Sequence, residues 1–144
     1  MDQFSQATRS WIMSRVASSD TSAEVAVRSI LHRMGYRFRL HCRNLPGKPD
    51  IVLPKHRAVV FVHGCFWHRH ARCKRATVPA SNRTYWLPKF RRTVARDRTN
   101  RRLLRRLGWN VVIVWECELT KPDSLATRLA KRIGTKRDYP AQGR

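Results

Sequence analysis

The chain has 144 residues, which is enough for one domain with a hydrophobic core and too few for two. Its 31 Lys and Arg against 9 Asp and Glu give a formal net charge of +22, so we expect a polyanionic partner, with nucleic acid favoured over a ribosomal or toxin role. Hydrophobic residues make up 42% of the chain in patterned runs, which excludes a disordered tail. No apolar run approaches the ~20 residues of a membrane span, and no signal peptide is visible, so we expect a cytoplasmic protein without a membrane partner.

The order of predicted elements is helix, three strands, helix, strand and helix. A capping box at Thr21–Glu24 precedes apolar residues at helical spacing, and Gly35 ends this helix. Residues 1–20 are predicted to form an arm or short helix, and residues 135–144 a polar tail. Alternating and continuous apolar runs predict strands at 36–41, 50–53, 58–62 and 111–115, with further helices at 87–107 and 124–133.

Two connections bring the polar ends of these strands together. A turn centred near His56 joins strands 50–53 and 58–62, which would place Asp50 opposite Val62. A long helix joins strands 58–62 and 111–115, which predicts a right-handed parallel crossover whose carboxyl ends meet. We therefore expect Asp50 and the histidine- and cysteine-rich loop after the third strand to lie at one edge of the sheet.

Three cysteines and a histidine follow these strand ends. Clustered cysteines and histidines in a reduced, intracellular chain indicate a metal before a disulfide. A Cys₃His set without an open position is typical of structural zinc, whereas buried unligated cysteines are the alternative. The fourth ligand is either His68 or His70, and we choose His70; Cys42 is the spare thiol. The predicted zinc ligands are Cys65, His70, Cys73 and Cys117.

Asp50 is the candidate ligand for a catalytic cation. Hydrolysis of a phosphodiester needs a divalent cation that neutralises charge and lowers the pKa of its bound water. A carboxylate at a strand start can hold Mg²⁺, and the backbone carbonyl of Val62 could supply a second oxygen. The alternative is that Asp50 only caps the preceding turn.

A histidine is the candidate general base. A neutral imidazole, with a reference pKa of about 6.5, can take a proton from attacking water, and we assign this role to His68 with His63 as runner-up or orienting partner. Asp97, the lone acid on a helix rich in arginine, could orient a histidine or simply pair with Arg101 four residues on.

Exposed aromatic residues on so basic a protein suggest insertion between bases. A wedge unstacks a base step at a cost of roughly a few kcal/mol, least where pairing is already weak. Phe66 and Trp67 are the favoured residues. Trp86 is a further candidate, as is Met13 on the predicted arm. Core packing is the alternative for all of them.

The run His-Gly-Cys-Phe-Trp-His-Arg-His at 63–70, with Pro49-Asp50 upstream and Trp115-Glu116-Cys117 downstream, resembles the very short patch repair (Vsr) mismatch endonucleases. The resemblance extends from Ala7 to Cys117. It implies an α/β fold of the PD-(D/E)XK restriction-endonuclease type, a mixed sheet of about four strands flanked by helices. The third strand carries Phe61-Val62-His63 where (D/E)-X-K is usual, a departure that the Vsr branch shares.

The resemblance also implies a function. Residues 21–134 would be the endonuclease domain, and the arm would contact DNA. The enzyme would nick one strand 5′ to the thymine of a T:G mismatch, which arises when 5-methylcytosine deaminates. It implies Mg²⁺ for catalysis, structural Zn²⁺ on all four predicted ligands, and a place for Glu24 near the metal's water shell, although the capping box alone could explain Glu24. We expect a monomer in the bacterial cytoplasm, with repair proteins as candidate partners.

Two features depart from the family. Well-known relatives have threonine where this chain has Val62, so only the backbone carbonyl of that residue carries over, and the spacing from Cys65 to Cys73 is one residue longer. Two alternatives remain at this point: a non-catalytic zinc module that binds nucleic acid through the helix Arg91–Arg106, and a PD-(D/E)XK nuclease with another target.

Overall fold

The computed structural model describes residues 21–134, which form a four-stranded mixed sheet flanked by three α-helices. The sheet order is β1-β2-β3-β4, with the first two pairings antiparallel and the β3–β4 pairing parallel. The predicted arm, including Met13, and the predicted tail lie outside the described residues. The elements are α1 (Ser22–Arg33), β1 (Arg39–Leu40), β2 (Ile51–Leu53), β3 (Ala58–His63), α2 (Arg83–Arg106), β4 (Asn110–Trp115) and α3 (Pro122–Ile133).

The helices cover the sheet on both faces, which confirms the predicted α/β class. Helices α1 and α3 pack on one face, and α2 packs through Leu104 on the other, where it meets Val59 and Val111. The parallel β3–β4 pairing confirms the predicted crossover through α2. Within residues 21–134, no helix combines the length and the apolar composition that a membrane-spanning segment requires.

The predicted register of the β2–β3 hairpin is wrong by one residue. Leu53 pairs with Ala58, so residues 54–57 form a four-residue turn rather than one centred on His56. The cause is Pro54, which cannot continue the ladder and begins a 3-10 turn. Asp50 nevertheless reaches the predicted neighbour, because its Oδ2 accepts a hydrogen bond of 2.7 Å from the backbone N–H of Val62.

The first strand is much shorter than predicted. It comprises only Arg39–Leu40. Before it, the backbone N–H of Tyr36 bonds to the Leu31 carbonyl at the end of α1, and after it His41 adopts a left-handed backbone (φ 51°). The Tyr36 hydroxyl donates to the carbonyl of Gly134 at 2.8 Å and so ties this segment to the end of α3. The departure of His41 from the strand turns its ring toward the region of Asp50 and Glu24.

Helix α2 begins at Arg83, four residues before the predicted start. A start at Leu87 would place Pro88 in the first turn of the helix, where proline is tolerated. In the structure Pro88 lies inside the helix. The earlier start brings Trp86 onto the buried face of the helix.

The free edge of β4 is covered by side chains from α3. Arg128 donates to the carbonyl of Ile113 (2.8 Å) and Arg132 to that of Val111 (3.1 Å), while Glu118 holds Arg128 in place. Such coverage protects an edge strand from pairing with another chain.

Candidate active site and metal centre

A cleft of about 910 Å³ opens at the carboxyl end of β3. It is bounded by the start of α1, the end of the turn before β2, the loop that follows β3 (residues 64–73, here called the cysteine loop) and the middle of α2. The predicted catalytic and wedge residues that line it are Glu24, Asp50, Val62, His63, Phe66, Trp67, His68 and Asp97. Asp50 and the cysteine loop thus lie at the same edge of the sheet, as the sequence predicts.

Asp50 carries a buried carboxylate that favours a cation. The pKa of Asp50 is raised to about 6, mainly by burial. The charge of Glu24 also raises it, whereas the hydrogen bond from Val62 and the charges of His41 and His68 lower it. Ligand atoms of Glu24, His41 and Asp50 all lie within 4.8 Å of one another. Two carboxylates this close in a half-buried site fit a divalent cation, which would relieve both the desolvation and the mutual repulsion.

Glu24 lies in the cleft and also belongs to the helix cap. Its backbone N–H donates to the Oγ1 of Thr21 at 3.1 Å, so the cap uses the main chain of Glu24 and does not require its carboxylate. The residue is only 4% exposed, and Arg28 lies 3.4 Å from its Oε2.

His68 is oriented by Asp97. The Nδ1 of His68 donates to Oδ2 of Asp97 at 2.7 Å. Although burial raises the pKa of Asp97, its hydrogen bond with His68 and the charge of that ring lower it overall, so the group is an ionised acceptor. Because a carboxylate only accepts, Nδ1 carries the proton and Nε2 of His68 is left as the basic atom. Of the two predicted roles for Asp97, the structure favours orientation of a histidine.

His63 stacks on His68 and is held neutral. The two rings lie 3.8 Å apart between centroids and are nearly parallel, at 6°. His63 is 5% exposed, and burial, followed by the charge of His68, lowers its pKa to about 3. A neutral ring can stack on an imidazole that gains a proton without adding a second charge.

The predicted zinc ligands meet at the ends of β3 and β4. One ligand atom from each of Cys65, His70, Cys73 and Cys117 lies within 4.8 Å of the others, and the Sγ of Cys117 is 3.4 Å from Nδ1 of His70. His68 is absent from the cluster, which favours our choice of His70. Burial raises the pKa of Cys65 to about 12, so its thiolate needs a cation nearby. Three sulfurs and one nitrogen fit tetrahedral zinc with no position left open.

The aromatic side chains form one packed group, here called the aromatic cluster: Phe66, Trp67, Trp86 and Phe90. The Phe66 ring is 4.8 Å from Trp67, 5.7 Å from Trp86 and 5.3 Å from Phe90, measured between centroids. Phe66 and Trp67 are partly exposed and line the cleft, whereas Trp86 is only 2% exposed. The predicted insertion of Trp86 would require the cluster to open, and it stays a prediction.

Arginines extend the basic surface away from the cleft. A groove of about 490 Å³ is lined entirely by arginines of α2, and Arg101 lines both this groove and the cleft. The groove residues are Arg98, Arg101, Arg102, Arg105 and Arg106. Such a surface suits the phosphates of a duplex that enters the cleft.

Comparison with known proteins decides the family. The profile of the family described as "DNA mismatch endonuclease Vsr" matches residues 1–75. The chain is 44% identical over 124 residues to the "DNA mismatch endonuclease Vsr" of Escherichia coli (strain K12), across 86% of this chain and 79% of that protein. The chain belongs to the Vsr family.

Two further relatives of this Vsr-family chain are named as nicking enzymes. "Type II nicking enzyme V.XorIIP" of Xanthomonas oryzae pv. oryzae is 48% identical over 128 residues, across 89% of this chain and 93% of that protein. "Type II nicking enzyme V.NmeAIP" of Neisseria meningitidis is 40% identical over 132 residues, across 92% and 94%. As a Vsr-family member the chain is a DNA endonuclease, and the hypothesis of a non-catalytic zinc module is wrong.

Sequence reasoning missed several contacts that shape this Vsr-family site. Glu116 accepts from the backbone N–H of Cys65 at 3.2 Å and ties the cysteine loop to the end of β4, although its place beside Cys117 was a usable signal. His41 joins the carboxylate pair because of its left-handed backbone, which no local pattern indicated. Arg69, which packs on the Phe90 ring of the aromatic cluster, could not be singled out by sequence among 31 Lys and Arg.

Proposed function

We propose that this protein nicks one strand of duplex DNA on the 5′ side of the thymine in a T:G mismatch, such as arises from deamination of 5-methylcytosine. The observation that carries the proposal is the single cleft at the end of β3, which collects a buried carboxylate pair, an oriented histidine and partly exposed aromatic rings. The enzyme would act as a monomer in the bacterial cytoplasm, with repair proteins as candidate partners. The covered edge of β4 supports the monomer.

We assign the core to the restriction-endonuclease type, with residues 21–134 as the endonuclease domain and residues 1–20 as a DNA-contacting arm. In support, α1 precedes a three-stranded antiparallel meander, and α2 crosses over to the parallel strand β4. The acid at the start of β2, Asp50, then faces the end of β3, where His63 stands in place of the usual lysine.

Asp50 and Glu24 would hold Mg²⁺, together with the backbone carbonyl of Val62. The N–H of Val62 already bonds to Asp50, and the N–H and C=O of one residue in an antiparallel strand face the same neighbour, so the carbonyl projects toward the same site. When bound there, the cation would neutralise charge on the scissile phosphate and lower the pKa of its water. Valine serves as well as threonine if only the carbonyl is used.

His68 would act as the general base. Its Nε2 takes a proton from water as the water oxygen attacks phosphorus, and the bond from phosphorus to the 3′ oxygen breaks in line with the attack. The products carry a 5′-phosphate and a 3′-hydroxyl. Asp97 supports the reaction because the imidazolium that forms on His68 faces an ionised carboxylate at 2.7 Å. The neutral, stacked His63 keeps the ring plane in place.

Zn²⁺ would have a structural role on Cys65, His70, Cys73 and Cys117. Both ends of the cysteine loop carry a ligand, so the ion would join the loop to the end of β4 through Cys117. Fixing the loop fixes His68, which lies between the ligands Cys65 and His70.

Phe66 and Trp67 would select the mismatch by entering the base stack. They share the cleft with the catalytic groups and remain partly exposed on a strongly basic surface. A T:G wobble weakens its base step, so a wedge enters there at a lower cost than between fully paired steps. Arginines of α2 contribute affinity for any duplex without choosing the site.

The test is a set of end-labelled duplexes that differ only in one base pair: T:G, the other mismatches and the paired control, assayed with Mg²⁺. We expect a single nick, in the thymine strand on its 5′ side, and much slower cleavage of the other duplexes. Equal cleavage of all duplexes, or preference for another lesion, would favour a PD-(D/E)XK nuclease with a different target. The variant Asp50→Ala is the control for contaminating nuclease.

A further inference from the structure

The partly exposed Arg69 guanidinium packs against two rings of the aromatic cluster, Phe66 and Phe90. Its Nη1 donates to the carbonyls of Phe66 and Thr77, both at 3.0 Å, and its Nη2 donates to the carbonyl of Ala76 at 2.9 Å. The guanidinium carbon is 4.0 Å from the centre of the Phe90 ring and 5.5 Å from that of Phe66. One side chain thus connects the cysteine loop, the segment that follows it and helix α2.

These contacts distinguish Arg69 from an arginine that binds phosphate. Three of its N–H donors already bind backbone carbonyls, and one face of the guanidinium lies on Phe90. Arg72, three residues on in the same loop, is exposed instead. Both residues share the left-handed backbone, with φ of 54° and 58°, so the difference between them lies in their side-chain contacts.

The closed aromatic cluster limits what can enter a duplex. Trp86 is 2% exposed, and the Phe66 and Trp67 rings pack against it at 5.7 Å each. For these rings to pass between bases, contacts within the cluster must break. Arg69 stabilises those contacts from beneath, because it binds the backbone of Phe66 and the ring of Phe90 at once.

We propose that Arg69 is a positioning residue that holds the aromatic cluster closed and thereby makes insertion depend on a weakened base step. The proposal rests on the proposed function in one respect, that the cluster inserts into DNA. The cost of opening adds to the cost of unstacking. At a T:G step, where unstacking costs less, the rings insert despite the cost of opening the cluster. At a fully paired step the closed cluster is favoured, and the strand is not positioned for cleavage.

Removing the guanidinium should therefore affect the two kinds of duplex unequally. On saturating T:G duplex the cluster is already inserted, so easier opening adds little to the nicking rate. On fully paired duplex the inserted state is a minor one, and its population rises by the full factor by which opening becomes easier. Selectivity falls because cleavage of paired DNA increases, not because cleavage of the mismatch is lost.

The test compares Arg69→Gln with Arg72→Gln, which removes the same charge from the same loop at the same backbone conformation. Single-turnover nicking is measured at saturating T:G duplex and at saturating paired duplex. For Arg69→Gln we expect paired-duplex nicking to rise roughly fivefold to tenfold, the effect of losing a cation–π contact or hydrogen bond of ordinary strength. T:G nicking should stay within about twofold of the parent rate, so that the change in the ratio of the two rates comes from the paired duplex. Arg72→Gln should leave the ratio of the two rates unchanged.

A measurement without DNA tests the closed cluster separately from the reaction. Acrylamide quenching of tryptophan fluorescence should increase in Arg69→Gln and not in Arg72→Gln, with zinc content equal in both. Arg69→Lys keeps the charge but not the planar donors, so its quenching should lie between those of the parent and Arg69→Gln. If Arg69→Gln loses zinc, Arg69→Lys takes its place in the comparison. Unchanged quenching, or nicking of both duplexes reduced in the same proportion, would refute the proposal. A parent protein that shows no T:G preference would refute the proposed function, while quenching still tests Arg69.

Discussion

Replacing Asp50 by asparagine should stabilise the magnesium-free protein at neutral and alkaline pH. The Asp50 carboxyl has a pKa of about 6 in the fold against an ordinary value of 3.8, mainly because burial disfavours its charge. Asparagine has nearly the same shape, keeps an oxygen that can accept from the Val62 N–H, and carries no charge. The variant therefore removes the cost of a buried, uncompensated carboxylate.

The magnitude and the pH window follow from the pKa of Asp50. Since its pKa is raised in the fold, the folded protein binds more protons than the unfolded chain between about pH 4 and 6. Stability from Asp50 is thus fully present below the ordinary pKa and is lost as pH rises through about 6. A shift of about two units corresponds to roughly 3 kcal/mol, which partial exposure of the side chain reduces to about 1–2 kcal/mol.

Urea unfolding of the parent and of Asp50→Asn checks this in magnesium-free buffer without chelator, so that zinc is retained. The variant should be more stable by about 1–2 kcal/mol at pH 8, with the difference vanishing toward pH 4. Added Mg²⁺ should stabilise the parent at pH 8 and not the variant. Asp123→Asn, at an exposed position of α3, is the matched control for replacing an aspartate at the surface. If Asp50→Asn is no more stable than the parent at pH 8, the charged carboxylate of Asp50 does not destabilise the folded protein.

Four other variants separate chemistry, folding, recognition and general affinity for DNA. Asp97→Asn should lower kcat on T:G duplex by about 10- to 100-fold with duplex affinity retained, because a charge-assisted hydrogen bond to His68 is lost; single-turnover and binding assays measure the two. Cys117→Ser should lower both the zinc content, by metal analysis, and Tm, and equal values would exclude structural zinc. Trp67→Ala should reduce T:G nicking by about tenfold or more and leave binding to paired DNA within about twofold. Arg105→Ala should instead weaken binding to both duplexes equally and flatten the salt dependence by about one unit.

The sequence predicted the buried framework well, since local patterns determine it. Strands β3 and β4 are continuous apolar runs covered on both faces, and their parallel pairing follows from the length of the connection through α2. The errors fall where backbone conformation depends on single residues. Pro54 lengthened the hairpin turn by one residue, and the left-handed His41 cut the first strand short.

The site was predictable to the extent that strand ends bring residues together. Cys65 and Cys117 were expected to meet because each follows one of two adjacent parallel strands. Asp97 had two open roles in the sequence, orientation of a histidine or pairing with Arg101. A pair four residues apart on a helix leaves a local pattern, whereas the contact of His68 with Asp97 spans 29 positions and leaves none. The burial of Trp86 depended on where α2 begins, and that boundary was placed four residues late.

The order of residues in the cysteine loop links recognition to cleavage in the proposed mechanism. Trp67 and His68 are consecutive, so their Cα atoms are separated by about 3.8 Å, close to the rise of one nucleotide along a strand, about 3.4 Å. His68 cannot swing away, because Asp97 and the stacked His63 fix its ring. The nick should therefore lie at a phosphate adjoining the inserted step, and moving the mismatch by one base pair should move the nick by one nucleotide. Sequencing-gel mapping on duplexes with shifted mismatches measures this directly. A nick that stays in place while the mismatch moves would show that flanking contacts, rather than the wedge, position the strand.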